Sequence, residues 1–177
     1  MFDRSIVALC DAHEGPVYVA GDAVLYATSV RRPGPQSVIL RVVVDGGDVD
    51  EITVGAVMPN GMTLDHDGLL VVCEQGDLDH DACISRIDVV TGHREVVVDR
   101  WRDLPFNSPN DVVVAADGAI WFTDPEYGHL QGFRPRPELP ALVHRWDPVT
   151  ATTDVAADGF DKPNGIALSP DGSTLYV

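Results

Sequence analysis

The sequence has little positive charge. Only 12 lysine and arginine residues stand against 28 aspartate and glutamate residues, which gives a formal net charge of −16. A surface of this kind repels phosphate backbones and anionic lipid headgroups. The composition therefore argues against nucleic acid and against membranes as partners.

Cysteine is also scarce, and long apolar runs are missing. The three cysteines, Cys10, Cys73 and Cys83, are an odd number without the spacing of a disulfide framework, which favours free thiols in a reducing compartment. Residues 6–10 form an apolar stretch near the N-terminus that is too short for the core of a signal peptide. No segment approaches the length of a membrane span. These features predict a soluble, cytoplasmic protein.

Several catalytic motifs are absent from the sequence. It contains neither a glycine-rich phosphate loop nor a Gly-x-Ser-x-Gly nucleophile motif. Its six histidines form no pair at the i, i+4 spacing of a helical zinc site: His13, His66, His80, His93, His129 and His144. Nucleotide-dependent enzymes and serine hydrolases are therefore disfavoured.

A sustained helical period is missing too, and short β-branched runs take its place. Each run is bounded by glycine, aspartate or proline, the pattern typical of short strands. The predicted strands cover residues 17–19, 24–26, 38–44, 52–54, 62–64, 69–72, 84–90, 95–98, 112–114, 120–122, 142–146 and 153–155. The sequence thus predicts an all-β protein.

One short motif recurs along these strands. Its copies, called the Pro-Asn motifs below, are Pro59-Asn60-Gly61, Pro109-Asn110-Asp111 and Pro163-Asn164-Gly165. Each is followed by a strand and an Asp-Gly turn, and the copies lie roughly 50 residues apart, which is typical of β-propeller blades. We expect three blades and the beginning of a fourth, and hence a single incomplete propeller domain over residues 1–177.

A repeat of this kind brings equivalent residues to one central channel. Glu14, in Glu14-Gly15-Pro16, has the same phase as Asn60, Asn110 and Asn164. One carboxylate with several amide oxygens suits a hard divalent cation such as Ca²⁺ or Mg²⁺. The alternative is that these residues only form turns where strands begin.

An open propeller would leave strand edges unpaired. We therefore expect this chain to be a C-terminally truncated piece of a longer protein, and to self-associate through its open edge.

Six ordered blocks resemble one known family. The chain is similar to the gluconolactonase branch of the SMP-30/gluconolactonase/LRE-like family in Glu14-Gly15-Pro16-Val17-Tyr18, Pro59-Asn60-Gly61-Met62-Thr63-Leu64-Asp65, Cys73-Glu74, Asn107-Ser108-Pro109-Asn110-Asp111, Trp121-Phe122-Thr123-Asp124-Pro125-Glu126-Tyr127-Gly128 and Pro163-Asn164-Gly165-Ile166-Ala167. The resemblance implies a six-bladed propeller, of which this chain covers about three and a half blades, with one divalent metal ion in its channel. Ca²⁺ is the first choice, with Mg²⁺, Mn²⁺ or Zn²⁺ as alternatives.

The resemblance also implies roles for individual residues. Glu14, Asn110 and Asn164 are expected to bind the metal, and Asn60, Asn110 and Asp124 the substrate. The catalytic aspartate is expected beyond Val177, so no catalytic residue is assigned in this chain. Where the family has His-Gly and an arginine after Cys-Glu, this chain has residues 75–80 as Gln-Gly-Asp-Leu-Asp-His, which leaves the sugar specificity open.

The implied function is metal-dependent hydrolysis of a small sugar lactone by the full-length propeller. Because half of the ring and the aspartate are missing here, we expect little or no activity from this chain alone. Two alternatives stay open: another metal-dependent esterase or phosphotriesterase of the same fold, and a propeller that binds a metal or ligand without catalysis.

Overall fold

The protein is almost entirely β-structure. The structure, a computed structural model, describes residues 5–33 and 36–177. In chain order the elements are β1 (Ala12–Val19), β2 (Val24–Ser29), β3 (Ile39–Val43), β4 (Val49–Ile52), β5 (Pro59–Leu64), β6 (Leu70–Glu74), β7 (Cys83–Ile87), β8 (Arg94–Val98), β9 (Arg100–Trp101), β10 (Leu104–Pro105), β11 (Val112–Val114), β12 (Ile120–Asp124), α1 (Tyr127–Leu130), β13 (Leu142–Asp147), β14 (Thr152–Ala157), β15 (Ala167–Leu168) and β16 (Leu175–Tyr176). The all-β prediction is confirmed.

The strands form successive antiparallel sheets. Within the described residues, three sheets have four strands each in sequential order: β1–β4, β5–β8 and β11–β14. The pair β15–β16 follows as a two-stranded sheet, and the pair β9–β10 lies between the second and third blades. This is the order of propeller blades. The predicted domain over 1–177 includes residues 1–4 and 34–35, which lie outside the described part.

The predicted strands and the observed strands differ mainly at their ends. The strand predicted over 84–90 ends at Ile87, because the Asp88 side chain accepts hydrogen bonds from the backbone N–H groups of Val90 and Thr91 at 2.9 and 3.2 Å and forms a turn. The Asp-Gly turns are confirmed, since Gly68, Gly118 and Gly172 have φ of 81°, 82° and 70°. The β9–β10 hairpin and α1 were not predicted.

The apolar core lies between the blades. In β6, Leu70 and Val72 pack in a cluster with β1, β2 and β3, whereas Val71 and Cys73 pack in a second cluster with β11 and β12. Successive side chains of a strand point to opposite faces, so a middle blade must be apolar on both. This explains why every residue of β6 before Glu74 is apolar. Burying a large apolar side chain stabilises the folded state by about 1.5–3 kcal/mol.

Neighbouring blades are also joined by hydrogen bonds at the Pro-Asn motifs. The Gly61 N–H donates to the Asn110 carbonyl at 2.8 Å, and the Thr123 hydroxyl donates to the Asn164 carbonyl at 2.7 Å. The Asp111 carboxylate accepts from the Ile166 N–H at 3.0 Å. The Pro-Asn motifs are thus the contacts between blades as well as the beginnings of inner strands.

Asp111 carries one of these contacts on its side chain. Its second oxygen accepts from its neighbour's N–H, that of Val112, at 2.9 Å. Burial raises the pKa of this carboxyl above its usual value, and the hydrogen bonds from Ile166 and Val112 oppose the rise.

Replacing Asp111 by alanine is expected to loosen the β15–β16 hairpin. The Ile166 N–H then loses its partner in a buried position, and the free energy of unfolding should fall by about 1–3 kcal/mol. Amide hydrogen exchange should show Ile166 exchanging at least about tenfold faster. Asp154→Ala, on the exposed face of outer strand β14, is the control; equal exchange in both variants would contradict the assignment.

Candidate active site

A cavity of about 230 Å³ lies where the inner strands of the successive blades meet. Glu14, Asn60, Asn110 and Asn164 all line it. The repeat argument placed these residues in one channel, and the structure brings them to one cavity. Their roles as metal ligands or substrate contacts stay predictions.

Local irregularities bring the first two side chains to the cavity. The pairing of β1 with β2 shifts register on both sides of Glu14, and the pairing of β5 with β6 shifts between Pro59 and Met62. Such bulges re-aim side chains at the end of a strand. Gly15 permits the first one, because it has a φ of 56° and its α-carbon lies against β5. A β-carbon there would lie 2.7 Å from the Asn60 carbonyl oxygen.

The amide side chains at the cavity differ in their partners. The Oδ1 atom of Asn60 is buried and accepts no hydrogen bond from any residue that the structure describes, which leaves it available to a ligand. The Asn164 amide nitrogen donates to the Tyr127 hydroxyl at 3.4 Å, so its oxygen is not committed to that contact. Asn110 is 4% exposed and is fixed through its backbone between Thr123 and Gly61.

The side chains that the repeats bring to the cavity offer oxygen atoms, and His13 adds an imidazole to the same wall. The His13 Nδ1 atom lies 3.5 Å from a Glu14 carboxylate oxygen. Within residues 5–33 and 36–177, no group of three or more His, Cys, Asp and Glu side chains is arranged to hold a metal ion. Any cation bound here would therefore depend on Glu14 together with amide oxygens, a set that suits hard ions.

Asp124, predicted to contact substrate, does not line the cavity. It is 0% exposed, and its two carboxylate oxygens accept hydrogen bonds from the backbone N–H groups of Asn107 and Ser108, both at 2.9 Å. The carboxylate therefore holds the segment that leads to Asn110. The sequence could not separate these roles, because a carboxylate at the end of an inner strand looks the same in either case.

Sequence reasoning missed several residues of the cavity wall. They come from the end of β2, from loops between strands and from α1 with the residue after it: Ser29, Arg31, Ser37, Met58, Gln75, Tyr127 and Gln131. Gln75 and Tyr127 lie within or next to the blocks of family resemblance, which was the available signal. Met58 directly precedes a Pro-Asn motif, and the others are brought in from segments without a repeated motif.

A buried ion pair supports one side of this wall. Arg94 donates to both oxygens of the Glu74 carboxylate, at 2.7 and 2.9 Å, and Glu74 also accepts from the Val57 N–H at 2.8 Å. The next residue, Gln75, donates its N–H to the Met58 carbonyl at 3.0 Å. Met58 has a φ of 53°, a strained conformation held by these contacts.

The proline-rich loop after α1 is fixed in place by a buried arginine. The buried Arg134 guanidinium donates to the carbonyls of Asn107, Phe106, Asp77 and His80 at 2.7–3.2 Å. Burial lowers the pKa of this group, and the nearby charges of Asp81, Asp124 and Asp77 oppose the fall. Gln131 from the same segment lines the cavity, so the segment forms part of its rim.

Comparison with known proteins identifies the family. Residues 12–177 match the SMP-30/Gluconolactonase/LRE-like region. The chain belongs to the SMP-30/gluconolactonase/LRE-like family. The matched region begins at β1, two residues before Glu14, and includes every Pro-Asn motif.

Relatives in this family include lactone-hydrolysing enzymes. A gluconolactonase of Zymomonas mobilis is 34% identical over 174 residues, covering 93% of this chain and 48% of the relative. A lactonohydrolase of Aspergillus oryzae is 26% identical, covering 94% of this chain and 40% of the relative. The solved structure of a gluconolactonase from Xanthomonas campestris superposes with a TM-score of 0.78 at 37% identity, covering 92% of this chain and 52% of that one.

These comparisons confirm the β-propeller prediction. The chain spans about half the length of the relatives it matches. Among the helices of the described residues, none is long and apolar enough to cross a membrane.

Proposed function

We propose that the whole protein hydrolyses a small sugar lactone at this cavity, with one divalent cation bound. The observation that carries the proposal is the meeting of Glu14, Asn60, Asn110 and Asn164, one from each successive repeat, at a single polar cavity. The similarity to a gluconolactonase and a lactonohydrolase supports the same reaction class.

Glu14, Asn110 and Asn164 are the residues that would hold the cation. The buried, unpartnered Oδ1 atom of Asn60 shows that the cavity still has an uncommitted oxygen donor. When bound, the cation supplies Lewis acidity toward the lactone carbonyl. The proposed ion is Ca²⁺, with Mg²⁺, Mn²⁺ and Zn²⁺ as alternatives for the titration below.

The amide side chains would orient the substrate. Asn60 and Asn110 can hydrogen-bond sugar hydroxyl groups without adding charge, and Tyr127 holds the Asn164 amide nitrogen. In the reaction, a water oxygen bonds to the carbonyl carbon, the ring carbon–oxygen bond breaks, and the water proton passes to the ring oxygen, which gives a hydroxy acid.

A carboxylate is needed to accept the proton of the attacking water. On the part of the cavity wall formed by residues 5–33 and 36–177, the carboxylate is that of Glu14, which we assign to the cation. The family aspartate predicted as general base therefore has no counterpart among these residues. We accordingly expect this chain to bind cation and product, and to turn lactone over slowly or not at all.

The test is calorimetric titration of the chain with gluconate, the product of gluconolactone hydrolysis, with and without each cation. We expect gluconate to bind at least about tenfold more tightly with the preferred cation present. Tighter binding of diethyl phosphate would favour a phosphotriesterase. Cation binding that leaves gluconate binding unchanged would favour a non-catalytic propeller. A pH-stat assay with gluconolactone, using the Zymomonas gluconolactonase as positive control, measures any turnover.

Two further predictions accompany the proposal. We propose that the protein is cytoplasmic, and that the chain self-associates through its open edge without binding nucleic acid or membranes. Light scattering over a range of protein concentrations tests the association.

A further inference from the structure

One positively charged side chain, that of Arg31, lies on the wall of the cavity. Arg31 follows the end of β2 in the first blade, and it lines the same cavity as Glu14 and Asn110. Its position has no counterpart in the Pro-Asn motifs. It is therefore a separate feature of the site.

Two contacts with the third blade hold this side chain at the rim. The Arg31 Nη1 atom donates to the Gln131 carbonyl at 3.2 Å. The guanidinium carbon lies 5.1 Å from the centroid of the Phe133 ring, and Phe133 is only 3% exposed. A carbonyl oxygen and an aromatic face both favour a positive charge. These two contacts place the exposed Arg31 side chain against a buried aromatic ring.

The guanidinium keeps donors that these contacts do not use. Arginine has five N–H groups, and the Gln131 carbonyl accepts from one nitrogen. Among the described residues, no carboxylate oxygen lies within 4.0 Å of Arg31. Its neighbour Arg32 differs, since that side chain pairs with Asp11 and Glu51 at 3.2 and 2.9 Å.

The rest of the cavity wall does not neutralise this charge in a contact. Apart from Glu14 and His13, the lining residues are neutral, and most carry amides or hydroxyl groups. Amides and hydroxyls suit a polyhydroxylated ligand. An arginine fork that pairs with no carboxylate of the described residues suits a carboxylate ligand, which it can bind through two parallel hydrogen bonds.

We propose that Arg31 selects a lactone that carries a carboxylate of its own, so that the hydrolysis product is a dicarboxylate sugar acid. This inference rests on the proposed function, because it names the substrate class of the same cavity. The carboxylate of the substrate would bind Arg31 at the rim, while the lactone group reaches Glu14 and the amides.

The charge of the whole chain makes this selection depend on local contacts. At a net charge of −16, the protein repels anions at long range. At about 0.15 M salt this repulsion is screened beyond about 8 Å, whereas a direct guanidinium–carboxylate contact is retained. Discrimination at physiological salt therefore measures the contact itself.

Two stable ligands isolate the contact. Gluconate and glucarate are six-carbon sugar acids that differ at C6, where gluconate has a hydroxymethyl group and glucarate a second carboxylate. Both are titrated calorimetrically into the 177-residue chain at 0.15 M salt with EDTA, which removes any contribution of a bound cation. We expect glucarate to bind about tenfold more tightly than gluconate.

Two arginine variants give the matched comparison. Arg31→Gln removes the charge at the rim and should abolish the preference for glucarate while changing gluconate binding less than about threefold. Arg41→Gln removes one charge from β3, where Arg41 pairs with Asp50 at 3.3 Å, and should retain the preference. Circular dichroism of both variants reports whether the fold is intact.

Each outcome of these titrations either supports or overturns the proposal. Equal affinity for the two acids, an unchanged preference in Arg31→Gln, or loss of the preference in Arg41→Gln would overturn the proposal, as would the absence of glucarate binding. An equal loss for both acids in Arg31→Gln would mean that this side chain only joins two blades. The lactonase proposal is judged separately, by the effect of added cation on gluconate binding.

Discussion

Gly61→Ala is expected to lower the free energy of unfolding by about 3 kcal/mol, whereas Gly165→Ala should change it by less than about 1 kcal/mol. The two glycines occupy the same position in the first and third Pro-Asn motifs. A β-carbon at Gly61 would overlap the Asn110 carbonyl oxygen and lie 2.6 Å from the Asp111 α-carbon. Because these are backbone atoms, the neighbouring blade would have to move.

Gly165→Ala is a matched control for Gly61→Ala. The nearest atom to its added β-carbon is an Asp111 carboxylate oxygen at 3.8 Å, an ordinary contact distance. Neither glycine is among those with positive φ, so backbone strain does not enter the comparison. Urea unfolding followed by circular dichroism measures both variants. Equal destabilisation would mean that close approach between the second and third blades is not what requires Gly61.

Glu14→Gln is expected to weaken binding of the divalent cation by at least about 100-fold. Glutamine has nearly the same shape as glutamate but removes the negative charge, and ligand charge largely sets the affinity of hard-cation sites. The remaining donors proposed for the ion are neutral amide oxygens. Calorimetric titration with Ca²⁺ and Mg²⁺ measures the change.

The matched variant for this test is Glu95→Gln. Glu95 lies on the exposed face of outer strand β8, so its replacement changes the net charge equally without touching the cavity. We expect its cation affinity to match that of the wild type. If Glu14→Gln binds cation as tightly as the parent, Glu14 is not a ligand and the metal proposal fails.

The sequence predicted the parts of the site that repeat. Asn60, Asn110 and Asn164 each follow a proline and precede the same Asp-Gly turn, so their convergence on one axis follows from the repeat alone. Glu14 was predicted at the same cavity because it has the same phase in the repeat, although its strand extends further than predicted. The register shifts around it could not be predicted, because they depend on pairing with β2.

The parts of the site that do not repeat were missed. Arg31 and Gln131 are 100 residues apart, and their contact exists only because two blades bring their loops to one rim. Asp124 was predicted at the cavity and lies inside the third blade. A single sequence gives the composition of a loop, but its partners across the fold are set by packing between blades.

The arrangement of the cavity wall links ligand binding to the folding equilibrium. Each of the four residues from the repeats belongs to a different blade. A ligand that contacts all four residues opposes the separation of the blades, because detaching any one blade breaks a contact with the ligand. At a concentration 100 times its dissociation constant, such a ligand adds about 2.7 kcal/mol to the folded state.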